Sequence, residues 1–264
     1  MGDIFQGPVY ISIPLFALFG CLIYGIGILT MRFISRHGPQ NEFSIPLGSF
    51  IGTVATAWGL SLGFVASEIW SVNSMAGQAA SSERSAISRL LGAASPETLD
   101  KPGLTQALLD YRNAVVVDEW RGNINVAPAA SVEEALQKLR REIIGLPRTD
   151  IPSPTTSQLI SDADALQNSR NTRLAIGSTS LDYYKWYLVL SLTILTTITV
   201  AAAHTDRIEG GKKALKIYSV TASLCLWILA IHANPYRGAK RLEPTSLITN
   251  AKEPFAAASI SLAT

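Results

Sequence analysis

The sequence predicts an all-α membrane protein, with four transmembrane helices and a helical extramembrane insert between the second and third. Three observations carry this expectation. Four apolar runs, Val9–Met31, Leu47–Trp70, Tyr184–Ala203 and Ile217–Ala233, come close to the roughly 20 residues that cross a bilayer core, and none has a Lys or Arg in its interior. Charged residues make up only 16% of the 264, against about 25% in a soluble domain. The stretch Ser71–Asp182 carries 11 basic and 13 acidic residues with no membrane-length apolar run, yet keeps a helical period. The expected organisation is a transmembrane hairpin over 1–70, a water-exposed helical insert over 71–182, a second transmembrane hairpin over 183–236 and a C-terminal tail over 237–264.

The first run follows Met1–Gln6, which holds Asp3 and no basic residue. A signal peptide has a basic start and a shorter apolar core, so Val9–Met31 is expected to be retained. Arg32 and Arg36 close it, and a loop with Gly38, Pro39 and Asn41 leads to Pro46, a residue suited to the first turn of a helix.

At 100° per residue the second span sorts into three stripes. Leu47, Ile51, Val54, Trp58, Leu62, Val65 and Ile69 form an apolar face expected to meet lipid. Gly48, Gly52, Ala55, Gly59, Gly63 and Ala66 form a second, with glycines spaced so that helix backbones can approach closely in a bilayer. Ser49, Thr53, Thr56 and Ser67 run beside the glycines. Two readings stay open: the glycines seat another helix while the hydroxyls bond to their own backbone, or Ser49, Thr53 and Thr56 line a pore built from several copies of this helix.

In the insert, Asn73–Ala94 should continue the second span until Ser95-Pro96 ends it. A helix from about Leu104 keeps Leu104, Ala107, Leu108, Tyr111, Ala114 and Val115 on one face. Another opens at Ser131-Val-Glu-Glu134, read as a capping box, buries Val132, Ala135, Leu136, Leu139 and Ile143, and stops at Gly145. Pro147–Pro154 reads as a non-helical linker, and a fourth helix runs from about Thr156 toward the third span. That span opens on Tyr183, Tyr184, Trp186 and Tyr187 around Lys185, an interfacial aromatic belt. Its Thr193, Thr196, Thr197 and Thr199 add hydroxyls, and a loop over His204–Lys216 leads to the fourth span. Basic residues flank the spans about equally on both sides, so the charge rule gives no orientation.

Several function classes lack their signatures. No His-Glu-x-x-His or Gly-x-x-x-x-Gly-Lys is present, and the three histidines lie far apart. No catalytic group, metal site or cofactor is therefore expected, and Gly25-Ile-Gly27 lies inside a span rather than after a strand. A net charge of +2 without a basic, aromatic-studded face excludes a nucleic-acid partner. Cys21 and Cys225 fall within spans and read as packing residues.

Three polar residues stand out. Glu119, beside Asp118 and Trp120, pairs with an arginine such as Arg170 or Arg173 to lock the insert, or else forms a ligand site. Glu68 either forms a carboxylate ring at a pore mouth, where such rings select cations, or simply sits at the membrane surface. His232 is the strongly polar group deep in the fourth span, so it is either an intramembrane functional residue or one reaching the headgroups.

Four segments resemble the bacterial bestrophin-like membrane family. Tyr111-Arg-Asn-Ala-Val115-Val-Val-Asp118-Glu119-Trp120 is similar to its Tyr, Val, Glu-Trp segment, and Glu83-Arg-Ser-Ala86 to Leu91 to the helix after its second span. Arg170-Asn-Thr-Arg173-Leu174 matches its Arg-x-x-Arg-Leu, and Asn234-Pro235-Tyr236-Arg237-Gly238 resembles its Pro-Phe-x-Gly ending. The family often has an acidic residue before the Pro-aromatic pair, where this chain has Ile231-His232-Ala233-Asn234, and no acidic cluster for calcium follows the fourth span. The resemblance implies a two-plus-two span arrangement in a bacterial inner membrane, with a ring-shaped homo-oligomer, a pentamer by family likeness, around an ion path. Two functions are carried forward: an oligomeric channel whose second span lines the path while the inserts form a collar, and a membrane-anchored interaction or sensory protein acting through its insert.

Overall fold

The computed structural model describes residues 9–37, 47–146, 152–178, 183–205, 207–238, 240–244 and 247. Among them every regular element is helical: α1 (Val9–His37), α2 (Leu47–Ala94), α3 (Pro102–Ala114), a π-helical turn (Val115–Gly122), α4 (Ala130–Gly145), α5 (Ser153–Ser178), α6 (Tyr183–Ala203) and α7 (Ile208–His232). The loop around Pro39 and Pro46, most of the linker after Gly145 and most of the C-terminal tail lie outside the described residues, as do the side chains of Leu47, Gly48 and Ser49. Four helices, α1, α2, α6 and α7, are long and apolar enough to cross a membrane. α2 has 48 residues, more than twice the roughly 20 that cross a bilayer core. The chain forms two compact units, one drawn from Met1–Ser71 and Ser180–Lys240, the other from Val72–Thr179 with Arg241–Thr264.

In the membrane unit, α1 packs on α6 and α7, and α6 on α7. One core cluster joins Phe16 of α1, Val65 and Ile69 of α2, Val189 of α6 and Leu226, Leu229 and Ala230 of α7. The apolar stripe of α2 therefore faces the protein, not lipid: Val54, Val65 and Ile69 are buried, and Trp58 Nε1 donates to Thr193 Oγ1 at 2.9 Å. Periodicity locates an apolar face, but lipid tails and a protein interior are equally apolar, so it cannot say which of them that face meets. The close helix approaches also fall elsewhere than in α2. A Cβ on Gly20 would lie 2.6 Å from Ser223 Oγ, on Gly27 2.6 Å from Leu215, and on Gly211 2.5 Å from Met31. α1 and α7 meet at these glycines.

In the insert unit, α3 packs on α4, and α4 on α5 and the π-helical turn. The stripes expected for α3 and α4 point inward, with Leu104, Ala107, Leu108, Tyr111, Val115, Val132, Leu136, Leu139 and Ile143 all buried. Three local readings need correction. α4 begins at Ala130 behind an Ala129 N-cap with no side-chain cap bond; Ser131 instead donates its hydroxyl to Asp118, so the capping box does not form. α5 starts at Ser153 and takes Pro154 into its first turn, where a missing N–H costs nothing. α7 starts at Ile208, nine residues before the apolar run, because its first turns carry Lys212, Lys213 and Lys216 on a helix that membrane-length hydropathy does not register.

Candidate functional site

Two features of the fold are candidates for function. The first is the face of α2 that the membrane unit leaves uncovered. Gly52, Thr53, Ala55, Thr56, Ala57, Gly59, Gly63 and Ser67 are exposed, and a Cβ placed on Gly52, Gly59 or Gly63 would meet nothing within 4 Å. Leu60 and Phe64 share this face, Phe64 at 73% exposure. Within the insert unit, Ser74, Gln78, Ser81, Ser85 and Ser88 of α2 are exposed at the same three- and four-residue spacing. The threonines of α6 behave differently. Thr193, Thr196, Thr197 and Thr199 are buried, and each donates to the carbonyl four residues back at 2.7 to 2.8 Å, so they are packing hydroxyls.

Glu68 does not stand as an open carboxylate. Both of its oxygens lie 2.6 Å from Lys185 Nζ, a pairing of two half-exposed groups at the end of α6. His232 sits in the last turn of α7 with Nδ1 2.9 Å from the Ile228 carbonyl oxygen.

The second feature is an ionic network inside the insert. Glu83 lies on the Ala76, Ala79, Ala80, Ala86, Ile87 and Leu90 face of α2 and is wholly buried. Tyr111 donates its hydroxyl to Glu83 Oε1 at 2.9 Å. Arg173 reaches both carboxylates, with Nε to Glu83 Oε2 at 2.7 Å and Nη2 to Glu119 Oε2 at 2.9 Å. Arg170 binds Glu119 Oε1 at 2.6 Å and Glu133 Oε2 at 2.9 Å. The guanidinium of Arg173 also lies 5.6 Å from the Trp120 ring centroid, close enough for cation–π attraction, and donates to Asn125 Oδ1. Burial first, then the adjacent Glu83 charge, pushes the Tyr111 hydroxyl well above its ordinary value, so it acts here as a neutral donor. Burial works against the charge on Arg170, but the Glu119 and Glu133 carboxylates outweigh it and leave the guanidinium raised. The hydrogen bond from Arg170 holds the Glu133 carboxyl below its usual range.

Local backbone geometry builds this network. The wide π-helical turn places Val115, Val116, Glu119 and Trp120 together on the buried side; such turns insert an extra residue into a helical register. Ile124 and Asn125 follow with φ of 55° and 58°. Asn125 N–H then donates to the Glu119 carbonyl at 2.6 Å, and Ala129 N–H to Glu119 Oε1 at 3.2 Å.

A family model, the bestrophin-like domain, matches residues 20–247. The chain belongs to the bestrophin-like family. Among solved structures, a bacterial bestrophin homologue from Klebsiella pneumoniae, carrying a point mutation, is similar in fold at 15% identity and a TM-score of 0.62, covering 89% of this chain and 96% of that one. No curated protein matches the sequence. The protein is thus an integral membrane protein of bestrophin-like fold.

Within this bestrophin-like chain the family segments converge: Tyr111, Glu119, Trp120, Arg170 and Arg173 all enter the network. Pro235 and Gly238 do not, since they belong to the membrane unit. There, Asn234 Oδ1 accepts from Tyr236 N–H at 2.9 Å and Gly238 takes φ 83°, so the ending is a tight turn off α7 that requires glycine at its last position. Sequence reasoning missed Asn125 and Glu133 as members of the network, and treated Glu83 only as part of a family segment. Glu83 did leave a signal, as the one acid on an otherwise Ala, Ile and Leu stripe. Asn125 left none, because its role depends on a left-handed backbone that Asn tolerates but does not dictate.

Proposed function

We propose that the chain assembles as a homo-oligomeric ring around an ion path lined in the membrane unit by the uncovered face of α2. Thr53 and Thr56 supply hydroxyls to the path, and Gly52, Gly59 and Gly63 let neighbouring copies approach. Ser49 and Gly48 extend the two stripes by their spacing. The observation that carries this reading is the face that α2 presents: Val54, Val65 and Ile69 are buried within the protomer, while Gly52, Thr56, Gly59 and Gly63 are exposed beside Leu60 and Phe64. A lone helix in lipid has no use for that arrangement, whereas a helix shared between copies gains close backbone packing from it. The family resemblance adds the ring, with five copies as its stoichiometry, and the bacterial inner membrane as its place.

Cysteine accessibility in planar bilayers tests the path. In a background with Cys21→Ser and Cys225→Ser, Thr56→Cys should lose most of its current on treatment with a charged thiol reagent. Val54→Cys, two residues away but buried, should lose little. Protein that stays monomeric and passes no current overturns the proposal. So does full current from Thr53→Leu and Thr56→Leu, which would favour a membrane-anchored protein acting through its insert.

Selectivity follows from Glu68. With its charge tied to Lys185, Glu68 gives the path no ring of free carboxylates. Lys185→Met releases one acid per copy, so the reversal potential should move toward cations by a several-fold change in permeability ratio. Glu68→Gln should move it little. An unchanged reversal potential in Lys185→Met would place Glu68 off the path.

A further inference from the structure

A polar groove of about 430 Å³ lies between α2 and α5 within the insert unit, lined by Ser81, Ser82, Ser85, Arg89, Asn168 and Ser169. Its chemistry is one-sided. No carboxylate lines it, and its polar groups are hydroxyls, an amide and a guanidinium. Two of the hydroxyls are already committed as donors, Ser85 to the Ser81 carbonyl at 2.9 Å and Ser169 to the Ala165 carbonyl at 2.8 Å. Arg89 is held in place from one side. Its Nε donates to Asp162 Oδ1 at 2.7 Å, with the Asp162 side chain 9% exposed and that of Arg89 51% exposed. Binding through Nε fixes the plane of the guanidinium while leaving its two terminal nitrogens as a fork, the geometry that matches two oxygens of a phosphate.

We propose that this groove binds the phosphate group of a phosphate monoester, with the Arg89 fork on two of its oxygens and the Ser81 and Ser82 hydroxyls and the Asn168 amide on the others. A tetrahedral oxyanion uses these donors better than chloride does, because a forked guanidinium gains two directed bonds only from paired oxygens. The volume exceeds what bare phosphate fills and leaves room for the organic part of the ester. Asp162 is a positioning residue here, fixing Arg89 without facing the ligand. Binding at the groove does not require that α2 conduct.

Full-length protein in phosphatidylcholine nanodiscs provides the test, read by thermal melting and calorimetric titration. In one arm, inorganic phosphate and then glycerol 3-phosphate are titrated. In the other, phosphatidic acid replaces part of the lipid and no soluble phosphate is added. Stabilisation in the first arm identifies a soluble ligand, and stabilisation confined to the second identifies a lipid headgroup carrying the same chemistry. In the arm that responds, Arg89→Lys keeps a positive charge beside Asp162 but loses the fork, and should weaken binding by about ten- to a hundred-fold. Asn168→Leu should weaken it too, while Arg84→Gln, exposed on the same helix but outside the groove, should bind as the parent does. No stabilisation in either arm overturns the proposal, as does an effect that Arg89→Lys and Asn168→Leu leave intact.

Discussion

Arg173→Met is expected to unfold the insert while the membrane helices remain embedded. The Arg173 side chain is fully buried between two buried carboxylates, Glu83 and Glu119, and burial opposes its charge while the Glu83 carboxylate and the rest of the network raise its pKa. Removing the guanidinium leaves Glu83 with only the Tyr111 hydroxyl and the two acids facing each other without their shared cation. Breaking one partner of such a buried pair costs about 3 to 5 kcal/mol, a large share of the stability of a domain this size. The measurement is limited proteolysis of full-length protein in detergent, followed by mass spectrometry of fragments from Val72–Thr179. Arg173→Met should be cleaved there under conditions that leave the parent intact, and Glu133→Gln, which removes only a half-exposed partner of Arg170, should resemble the parent. Equal resistance of Arg173→Met and parent would show that apolar packing, not this network, holds the insert.

Gly177→Ala should have a comparable effect by a purely steric route. A Cβ at this position would lie 2.0 Å from the Asn125 carbonyl oxygen and 2.7 Å from its carbonyl carbon. The obstacle is backbone, and that backbone is not free to retreat, since Asn125 is fixed by its own N–H bond to the Glu119 carbonyl and by Arg173 on its side chain. Overpacking of a flexible site costs about 1 to 3 kcal/mol, and a clash with anchored backbone belongs at the upper end or beyond. The thermal transition of the insert should drop by several degrees or be lost. Gly59→Ala is the matching control: its Cβ enters open space, so the fold of a single copy should keep its stability. Any change in Gly59→Ala should appear instead in the assembly. A Gly177→Ala protein that melts with the parent would contradict the close approach of α5 to the Asn125 loop.

Much of the protein was legible in its residues. Four apolar runs announce four spans because hydrocarbon admits few charges, and the helix from Asn73 ends at Ala94 because Pro96 follows. The buried faces of α3 and α4 were readable from their spacing, since an insert in water must turn its apolar stripe inward. The pairing of Glu119 with Arg170 or Arg173 was readable as chemistry. Two parts of the candidate site were not. The apolar stripe of α2 was expected against lipid but is buried at Val54, Val65 and Ile69, because inside a membrane no contrast of polarity marks which apolar face meets protein. Glycine spacing pointed to α2 as the packing helix, whereas among the described residues of the membrane unit the close approaches occur at Gly20, Gly27 and Gly211.

The amino-acid sequence by itself determined that helices cross a membrane, where most of them start and stop, and which residues carry the charges of the insert. Tertiary structure alone decided that the Glu83 carboxylate, 90 residues from Arg173, becomes its partner, that Asn125 turns left-handed beneath Gly177, and that α2 keeps its small and hydroxyl face uncovered. Local spacing constrains neighbours within a few turns, and these three outcomes each depend on what a distant segment brings alongside.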